Sequence, residues 1–362
     1  MPWSAGRCAR LLMCAWLALL RLPAYALEAP APVLPGHPLE FPRDYGSHPQ
    51  FNTEWWYVTG WLRTPTQQDL GFQITFFRAR SGSAQDNPSA MAAHQLLIAH
   101  CALSDPGHGH LWQDQRIRRE GLGLAEAQNA TTDVWIDDWK LQRQGDIYLA
   151  RLPAQDFALS LQLAVTQPVM RNGEAGFSRK GPAPASASYY YSEPHLRVSG
   201  SIERAGVRES VSGEAWLDHE WSSQYLEPQA SGWDWVGINL DDGSALMAFR
   251  IRDRQGRSLW AGATLRAADG SVQSFAPDSV QFFPGRSWRS ARTAVSYPVA
   301  WQLQVGARRW SIEPLMDDQE NDARFSSGIL YWEGAVRLLE QGRVVGKGYL
   351  ELTGYDRPLT LQ

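Results

Sequence analysis

Short apolar stretches with alternating side chains recur along almost the whole chain, and they restrict the folds that it can adopt. Gly, Asp or Pro residues bound each stretch, and no segment shows the long, capped amphipathic period of a helix. The strand-like stretches are 54–62, 70–78, 94–103, 134–142, 147–152, 158–165, 214–221, 233–240, 245–251, 301–305, 309–314, 329–339 and 346–355. Many short strands with frequent turns predict an all-β protein of antiparallel strands with little helix.

One β-hairpin is marked by its turn residues. Asp242-Gly243 separates the alternating stretches 233–240 and 245–251. Asp-Gly between two such stretches is a strong short-range hairpin signal, so we expect them to pair as antiparallel neighbours.

The length of 362 residues suits two domains of ordinary size. Pro228 and the pair Ser231-Gly232 interrupt the strands near the middle of the chain. The sequence therefore predicts an N-terminal domain over 44–226 and a C-terminal domain over 227–362. A Pro- and Ala-rich lead-in over 27–43 is expected to be extended.

Residues 1–26 have the three parts of a secretory signal peptide. Arg7 and Arg10 precede an apolar run at 11–20, and residues 24–26 form an Ala-Tyr-Ala cleavage site. The apolar run is short for a bilayer span, although an uncleaved membrane anchor is the alternative. We expect a protein exported to the periplasm or secreted, where it would be able to associate with the envelope or a transporter.

Charge and motifs exclude several classes of function. The formal net charge of −4 argues against sequence-independent binding to nucleic acid phosphates. Without the signal peptide only Cys101 remains, so the sequence indicates no disulfide and no cysteine metal site, and we expect neither a metal nor a cofactor. The chain has no Gly-rich phosphate loop and no G-x-S-x-G nucleophile elbow, which disfavours a serine hydrolase.

Aromatic residues surround a carboxylate in the first candidate cluster. On a strand, Glu54 and Trp56 share one face, and Trp55 and Tyr57 share the other. An unpaired buried carboxylate is costly. Glu54 is therefore either a pocket acid with a raised pKa or a structural residue that meets an arginine in an aromatic strand.

The second cluster, 213–221, contains three carboxylates, one histidine and two tryptophans. Alternation sorts its side chains into two faces: Leu217, His219 and Trp221 on one, and Trp216, Asp218 and Glu220 on the other. His219 beside Trp221 offers a proton donor or acceptor against an aromatic wall, whereas the alternative is a histidine satisfied by backbone at a barrel rim. We expect His219 and Trp221 to line a ligand cavity, with Asp218 and Glu220 behind them.

The third candidate carboxylate is Asp241, which we expect to be the proton donor of the site. Asp241 shares a strand face with Trp233 and Trp235, and a carboxyl walled by indoles loses solvation, so that its pKa rises. Glu54 is the rival acid. The alternative for Asp241 is a turn residue, because it stands next to Asp242-Gly243.

Three segments carry a resemblance to a known family: 45–49 (YGSHP), 52–57 (NTEWWY) and 213–222 (GEAWLDHEWS). They resemble predicted secreted hydrolases related to carotenoid 1,2-hydratase (hydroxyneurosporene synthase), over nearly the whole mature chain. The resemblance implies two lipocalin-like antiparallel β-barrels in tandem. It also implies addition of water to the terminal double bond of an acyclic carotenoid, without a cofactor.

The same resemblance implies roles for individual residues. A His–Trp pair implicated in hydratase activity matches His219 and Trp221. A Tyr–Asp pair further along is matched most nearly by Asn239 and Asp241, where the tyrosine is replaced.

Alkene hydration has physical requirements that these residues would meet. Protonation of a trisubstituted alkene creates a tertiary carbocation, which an indole face stabilises by ~0.5–2 kcal/mol before water adds and a base takes its proton. The expected ligand-binding residues are Trp55, Trp56, Tyr57, Trp216, Asp218, Glu220, Trp233 and Trp235, and the expected ligand is an isoprenoid, carotenoid or lipid. The function predicted is a hydro-lyase; a non-catalytic carrier, a secreted hydrolase of unknown substrate and a structural protein with a filled barrel stay open.

Overall fold

A computed structural model of the chain describes residues 29–82, 87, 89 and 91–359. The predicted signal peptide lies outside them. Within them there is no α-helix, and the helical turns are two 3-10 helices, Arg43–Tyr45 and Pro277–Ser279. No helix in this part of the chain is long and apolar enough to cross a membrane. The predicted all-β class is confirmed.

Thirteen antiparallel strands form the first sheet. They are β1 (Thr53–Arg63), β2 (Asp69–Arg80), β3 (Gln95–Ser104), β4 (Trp112–Arg119), β5 (Ala125–Ala127), β6 (Asp133–Ile136), β7 (Trp139–Gln144), β8 (Ile147–Pro153), β9 (Phe157–Ala164), β10 (Met170–Arg171), β11 (Phe177–Arg179), β12 (Ala187–Arg204) and β13 (Val207–Gln224). Eleven of them follow the order β4-β3-β2-β1-β13-β12-β9-β8-β7-β6-β5 and curve into a nearly closed barrel, while β10 and β11 pair with β12. Apolar side chains such as Val58, Ile74 and Leu217 fill the inside.

The longest hairpin of the barrel joins β12 to β13. Its turn residues, Ala205 and Gly206, both have positive φ angles, 49° and 74°. Two such residues make the type I′ turn whose twist matches that of the flanking strands. The two strands are 18 residues each, so their far ends extend well beyond the turn and reach the second sheet.

Ten antiparallel strands form the second sheet, and two more form a small separate one. They are β14 (Ala230–Leu240), β15 (Ala245–Asp253), β16 (Ser258–Arg266), β17 (Val272–Phe275), β18 (Val280–Pro284), β19 (Ser287–Arg289), β20 (Ser296–Pro298), β21 (Trp301–Val305), β22 (Arg308–Pro314), β23 (Glu320–Ala323), β24 (Ile329–Glu340) and β25 (Arg343–Leu352). The order is β17-β16-β15-β14-β25-β24-β22-β21-β18, with β23 on β24, and β19 pairs with β20 apart from it. The predicted Asp-Gly hairpin is confirmed as β14–β15, with Gly243 at φ 87°.

A third core lies between the two sheets, where the outer face of the barrel meets β14, β24 and β25. The Trp61 Nε1–H donates to the carbonyl of Gly348 (3.0 Å), and the Asn239 Nδ2–H donates to that of Ala215 (3.1 Å). Strand β1 and the stretch 215–222 of β13 are consequently buried on both faces. The chain passes from one sheet to the other between β13 and β14; the predicted division into two domains at 226/227 stays a prediction.

Candidate functional site

A cavity of about 290 Å³ lies between the barrel and the second sheet. This is roughly the space of ten water molecules. Alternate residues of β1, β2, β3 and β13 line it from the barrel, and alternate residues of β14, β24 and β25 line it from the second sheet. The site therefore lies outside the barrel, at the contact of the two sheets.

The structure separates the predicted site residues into two groups. The group that lines the cavity is Glu54, Trp55, Tyr57, Asp218, Glu220, Trp233 and Trp235, although the carboxyl of Glu54 is bound to His48 and His219 on the barrel side. Trp216 packs in the core between the sheets, whereas Trp56 and Trp221 pack inside the barrel, and His219 contacts both of these indoles there. The orientation expected for β13 is therefore reversed: Asp218 and Glu220 face the cavity, and His219 with Trp221 faces away from it.

Glu54 is fully buried and ionised. Its Oε1 accepts hydrogen bonds from His48 Nδ1 (2.7 Å) and His219 Nε2 (2.8 Å), and its Oε2 accepts one from Arg78 Nε (2.8 Å). Burial alone would raise the pKa of this carboxyl, but the charges of His48 and Arg78 hold it well below its usual range. The arginine-paired alternative is thus the one observed, and these contacts disfavour Glu54 as a proton donor.

His48 completes this network, although the sequence assigned it no role beyond its place in the YGSHP segment. Its Nε2 lies 3.3 Å from Asp44 Oδ1, so that both ring nitrogens face carboxylates. Burial lowers the pKa of His48, but the carboxylates of Glu54 and Asp44 raise it by more. The ring stacks on Trp221 at 3.8 Å between centroids.

Among the described residues, His48, Glu54 and His219 offer three potential metal-ligand atoms within 4.8 Å of one another. A metal ion bound there would replace both His–Glu54 hydrogen bonds and would lie next to the Arg78 guanidinium. Tyr191 and Asp44 satisfy the outer nitrogens of the two rings. The donor set therefore fits a complete hydrogen-bonded ion network better than a metal centre.

Asp218 is held by three donors at the wall of the cavity. Its Oδ2 accepts from the Tyr190 hydroxyl (2.6 Å), and its Oδ1 accepts from the Ser192 hydroxyl (2.5 Å) and from Trp216 Nε1 (2.7 Å). Burial nevertheless raises the pKa of Asp218 to about 7. Alternation places Trp216 beside Asp218 on β13, but it does not predict the two hydroxyl donors, because Tyr190 and Ser192 come from the neighbouring strand β12.

Glu220, the next cavity-facing residue of β13, forms a buried ion pair. Its Oε1 lies 2.8 Å from Lys180 Nζ and also accepts a hydrogen bond from the Ser188 hydroxyl. Burial raises the pKa of Glu220 and lowers that of Lys180, while each charge favours the other. Lys180 also lies over the rings of Tyr190 and Phe249, and this places a cation directly behind the cavity wall.

Two further carboxyls in the cavity were missed at the sequence level. Glu333 on β24 lies directly opposite Glu351 on β25, and both line the cavity. Trp233 Nε1 donates to Glu351 Oε2 (2.9 Å), whereas Glu333 Oε1 has no hydrogen-bond partner among the described residues. Burial raises the pKa of Glu351 to about 7 and that of Glu333 well above its usual range.

His100 on β3 also lines the cavity. Its Nδ1 is 2.7 Å from the Tyr331 hydroxyl and its Nε2 is 2.9 Å from the Ser326 hydroxyl. Burial lowers the pKa of His100 to about 3, so the ring is neutral. It therefore gives the cavity a polar but uncharged group.

Asp241 does not lie where the alternation placed it. It is exposed in the turn between β14 and β15, outside the cavity. Strand β14 ends at Leu240, so the alternation that holds for Trp233 and Trp235 no longer applies one residue later. The expectation of an indole-walled acid at Asp241 is a mistake, and the turn interpretation fits the structure.

The chain belongs to the AttH-like family, whose model matches residues 32–355. The resemblance to carotenoid hydratase relatives is confirmed at the level of this family. No curated protein matches the sequence.

Solved structures share the architecture. A Nitrosomonas europaea protein provisionally designated AttH is 55% identical, with a TM-score of 0.85 over 90% of this chain and 99% of that chain. Kievitone hydratase from Nectria haematococca is 15% identical, with a TM-score of 0.68 over 88% of this chain and 93% of that chain. CghA is 13% identical, with a TM-score of 0.51 over 84% of this chain and 89% of that chain. The last two similarities concern the fold.

Proposed function

We propose that this protein binds a hydrophobic, alkene-bearing small molecule between its two sheets and adds water to it without a cofactor. The single observation that carries the proposal is a cavity whose aromatic walls hold buried carboxyls with raised pKa values, among them Asp218 and Glu351, both at about 7. A carboxylic acid with such a pKa is able to donate a proton near neutral pH.

The aromatic walls support the second half of the reaction. Trp55, Trp233 and Trp235 present indoles to the same space as the acids. Their π faces would stabilise a carbocation by ~0.5–2 kcal/mol each, and they would exclude all but a few waters. That the fold is shared with kievitone hydratase, a hydratase by name, supports the same class of reaction.

The size of the cavity limits the ligand. A volume of about 290 Å³ suits a small terpenoid or one end of a longer isoprenoid, with the remainder of a long chain outside. An exported protein would meet such molecules in the envelope, and we propose the periplasm or the medium as its location.

Incubation with farnesol or an acyclic carotenoid in 18O-labelled water tests the proposal. We expect labelled alcohol to form with no added cofactor. The cavity-filling variant Ile98→Trp should lose this activity, whereas Ile147→Trp, at a half-exposed barrel position away from the cavity, should keep it. Prenyl compounds that quench tryptophan fluorescence but return unlabelled would contradict hydration and favour a carrier.

A further inference from the structure

The cavity holds a pair of carboxyl groups with an unusual arrangement. Glu333 and Glu351 are paired residues of neighbouring antiparallel strands, so their side chains leave the sheet side by side on the same face. Cβ atoms of such a pair lie ~4.5–5.5 Å apart. The two carboxyls extend from these neighbouring Cβ atoms into a buried site, where the charge of Glu351 raises the pKa of Glu333.

Few hydrogen-bond donors contact the carboxyls of Glu333 and Glu351. Glu351 has one hydrogen-bond donor, Trp233 Nε1, and the Glu333 Oε1 atom has none among the described residues. The Tyr57 hydroxyl faces Glu333 from β1 and lowers the pKa of that carboxyl as a donor, although no hydrogen bond of standard geometry joins the two groups and the hydroxyl is buried without another partner in this part of the chain. Polar atoms in this state are rare in folded proteins, and here they surround a cavity.

The surrounding charges do not offset a doubly ionised pair. Asp218 and Glu220 face it from β13 and add negative charge, and Lys180 is already bound to Glu220. His100 on β3 is neutral, and no basic side chain of the described residues forms an ion pair with either carboxyl. Two carboxylates this close cannot both ionise near neutral pH, so one proton is retained by the pair.

We propose that Glu333 and Glu351 share one proton and act as the acid and the base of the hydration. The inference rests on the proposed function. The protonated carboxyl breaks its O–H bond and forms a C–H bond to the alkene, which leaves a carbocation at the other carbon. Water forms a C–O bond to that carbon and gives a proton to the second carboxylate. The alkene and one water become an alcohol, and the pair again holds one proton.

Asp218 is less suited to this role. Three donors occupy its two oxygens and come from Tyr190, Ser192 and Trp216. A proton on either oxygen would have to displace one of these hydrogen bonds. Glu333, in contrast, lines the cavity and has no hydrogen bond of standard geometry to its buried Oε1 atom, so a proton there displaces no such bond.

A titration tests the shared proton directly. In protein labelled with 13C at the glutamate carboxyls, we expect the pair to titrate in two separate steps, the first near pH 7 and the second above it. In Glu351→Gln the pKa of Glu333 should fall, because the like charge is gone, whereas in Glu333→Gln the step of Glu351 should stay near pH 7, because Glu351 ionises while Glu333 still holds its proton. Glu193→Gln, at a buried carboxyl inside the barrel, should change neither. If each glutamate titrates independently of the other, the proton is not shared.

The hydration assay tests the roles of acid and base. We expect the wild-type rate with farnesol to be bell-shaped in pH, and Glu333→Gln and Glu351→Gln each to lower it by about 100-fold or more, with binding of farnesol retained. Glu193→Gln should stay within about threefold of the wild type. A wild type that hydrates while both variants keep its rate overturns this inference and leaves the proposed function intact. A wild type with no hydration overturns the proposed function and these catalytic roles together, while a coupled titration would still support the shared proton.

Discussion

Glu54 in the barrel and the Glu333–Glu351 pair in the cavity are equally deep in the protein but have opposite electrostatic surroundings. Glu54 accepts hydrogen bonds from two histidines and an arginine, and its pKa lies well below its usual range. The pair has one indole donor and faces further carboxylates, and both of its pKa values are raised.

The comparison shows that burial alone does not decide the protonation state of a carboxyl. Desolvation is the largest single influence at both places and acts in the same direction. The partners decide the outcome: Arg78 and His48 overcome desolvation at Glu54, whereas Trp233 does not at Glu351. The barrel interior is consequently arranged for stability, and the cavity keeps a proton available for transfer.

The largest expected effect comes from removing the arginine that makes Glu54 ionised. Arg78→Met should lower the free energy of unfolding by ~3–5 kcal/mol, because it leaves a buried carboxylate without its cation. Urea denaturation at pH 7 measures this. Arg63→Met is the control, since its partner Asp69 is near the surface and the pair contributes about 0–1 kcal/mol. Equal losses of unfolding free energy in the two variants would mean that the buried Arg78–Glu54 pair contributes no more to stability than the exposed Arg63–Asp69 pair.

Neutral substitutions at the two places should change stability in opposite directions. The folded pKa of Glu54 is lowered, so its stabilisation is present above the ordinary value of 4.5 and is lost as the pH falls through the folded pKa. The folded pKa of Glu351 is raised from 4.5 to about 7, so it destabilises the fold increasingly as the pH rises through that interval. At pH 8, Glu54→Gln should therefore be less stable than the wild type, and Glu351→Gln more stable by ~1–3 kcal/mol.

The pH dependence separates this explanation from simple repacking. Below pH 4.5 the gain in Glu351→Gln should vanish, because Glu351 is then protonated in both the folded and the unfolded chain. Urea denaturation of both variants at pH 4, 6 and 8 provides the measurement. A gain that is constant over this range would indicate a change in packing.

A smaller effect is expected from Trp233, which donates a hydrogen bond to Glu351. Trp233→Phe keeps an aromatic wall but removes the Nε1–H that stabilises the Glu351 carboxylate. The pKa of Glu351 should rise above about 7, as 13C titration of the glutamate carboxyls would show. Trp55→Phe, at the same cavity but without a hydrogen bond to Glu351, is the matched control; the same shift in both variants would argue against the hydrogen bond as its cause.

The smallest effect is expected at the turn. Asp241→Asn changes an exposed carboxyl outside the cavity, so the unfolding free energy should change by no more than about 0.5 kcal/mol. Any hydration rate should stay within about twofold of the wild type. A large loss of activity would restore Asp241 as the acid and contradict the location of the site.

Much of the architecture followed from the pattern of alternation. The all-β class, the β14–β15 hairpin and the two faces of β13 were all predictable, because side chains on a strand alternate and Asp-Gly favours a tight turn. Which face of β13 lines the cavity was not predictable. Both faces of β13 are buried over 215–222, one by the barrel and one by the second sheet, and alternation separates the two faces without stating what covers each of them.

The pair in the cavity was missed for a related reason. Glu333 and Glu351 each stand alone among apolar neighbours, as in Trp332-Glu333-Gly334 and Leu350-Glu351-Leu352. A single glutamate in a buried strand was the available signal, but the two residues are 18 positions apart and meet only through the register of β24 with β25. His48 was likewise visible in a motif, although its two carboxylate partners became apparent only in three dimensions.

The alternation along β13 has an evolutionary consequence. One strand presents His219 and Trp221 to the barrel and Asp218 and Glu220 to the cavity. Point substitutions at the cavity-facing positions can change the ligand that is bound, while the barrel-facing positions stay the same. A single inserted or deleted residue, however, would exchange the two sets and disrupt both sides at once. Descendants of this chain should therefore diversify here by replacement, with length changes confined to the loops.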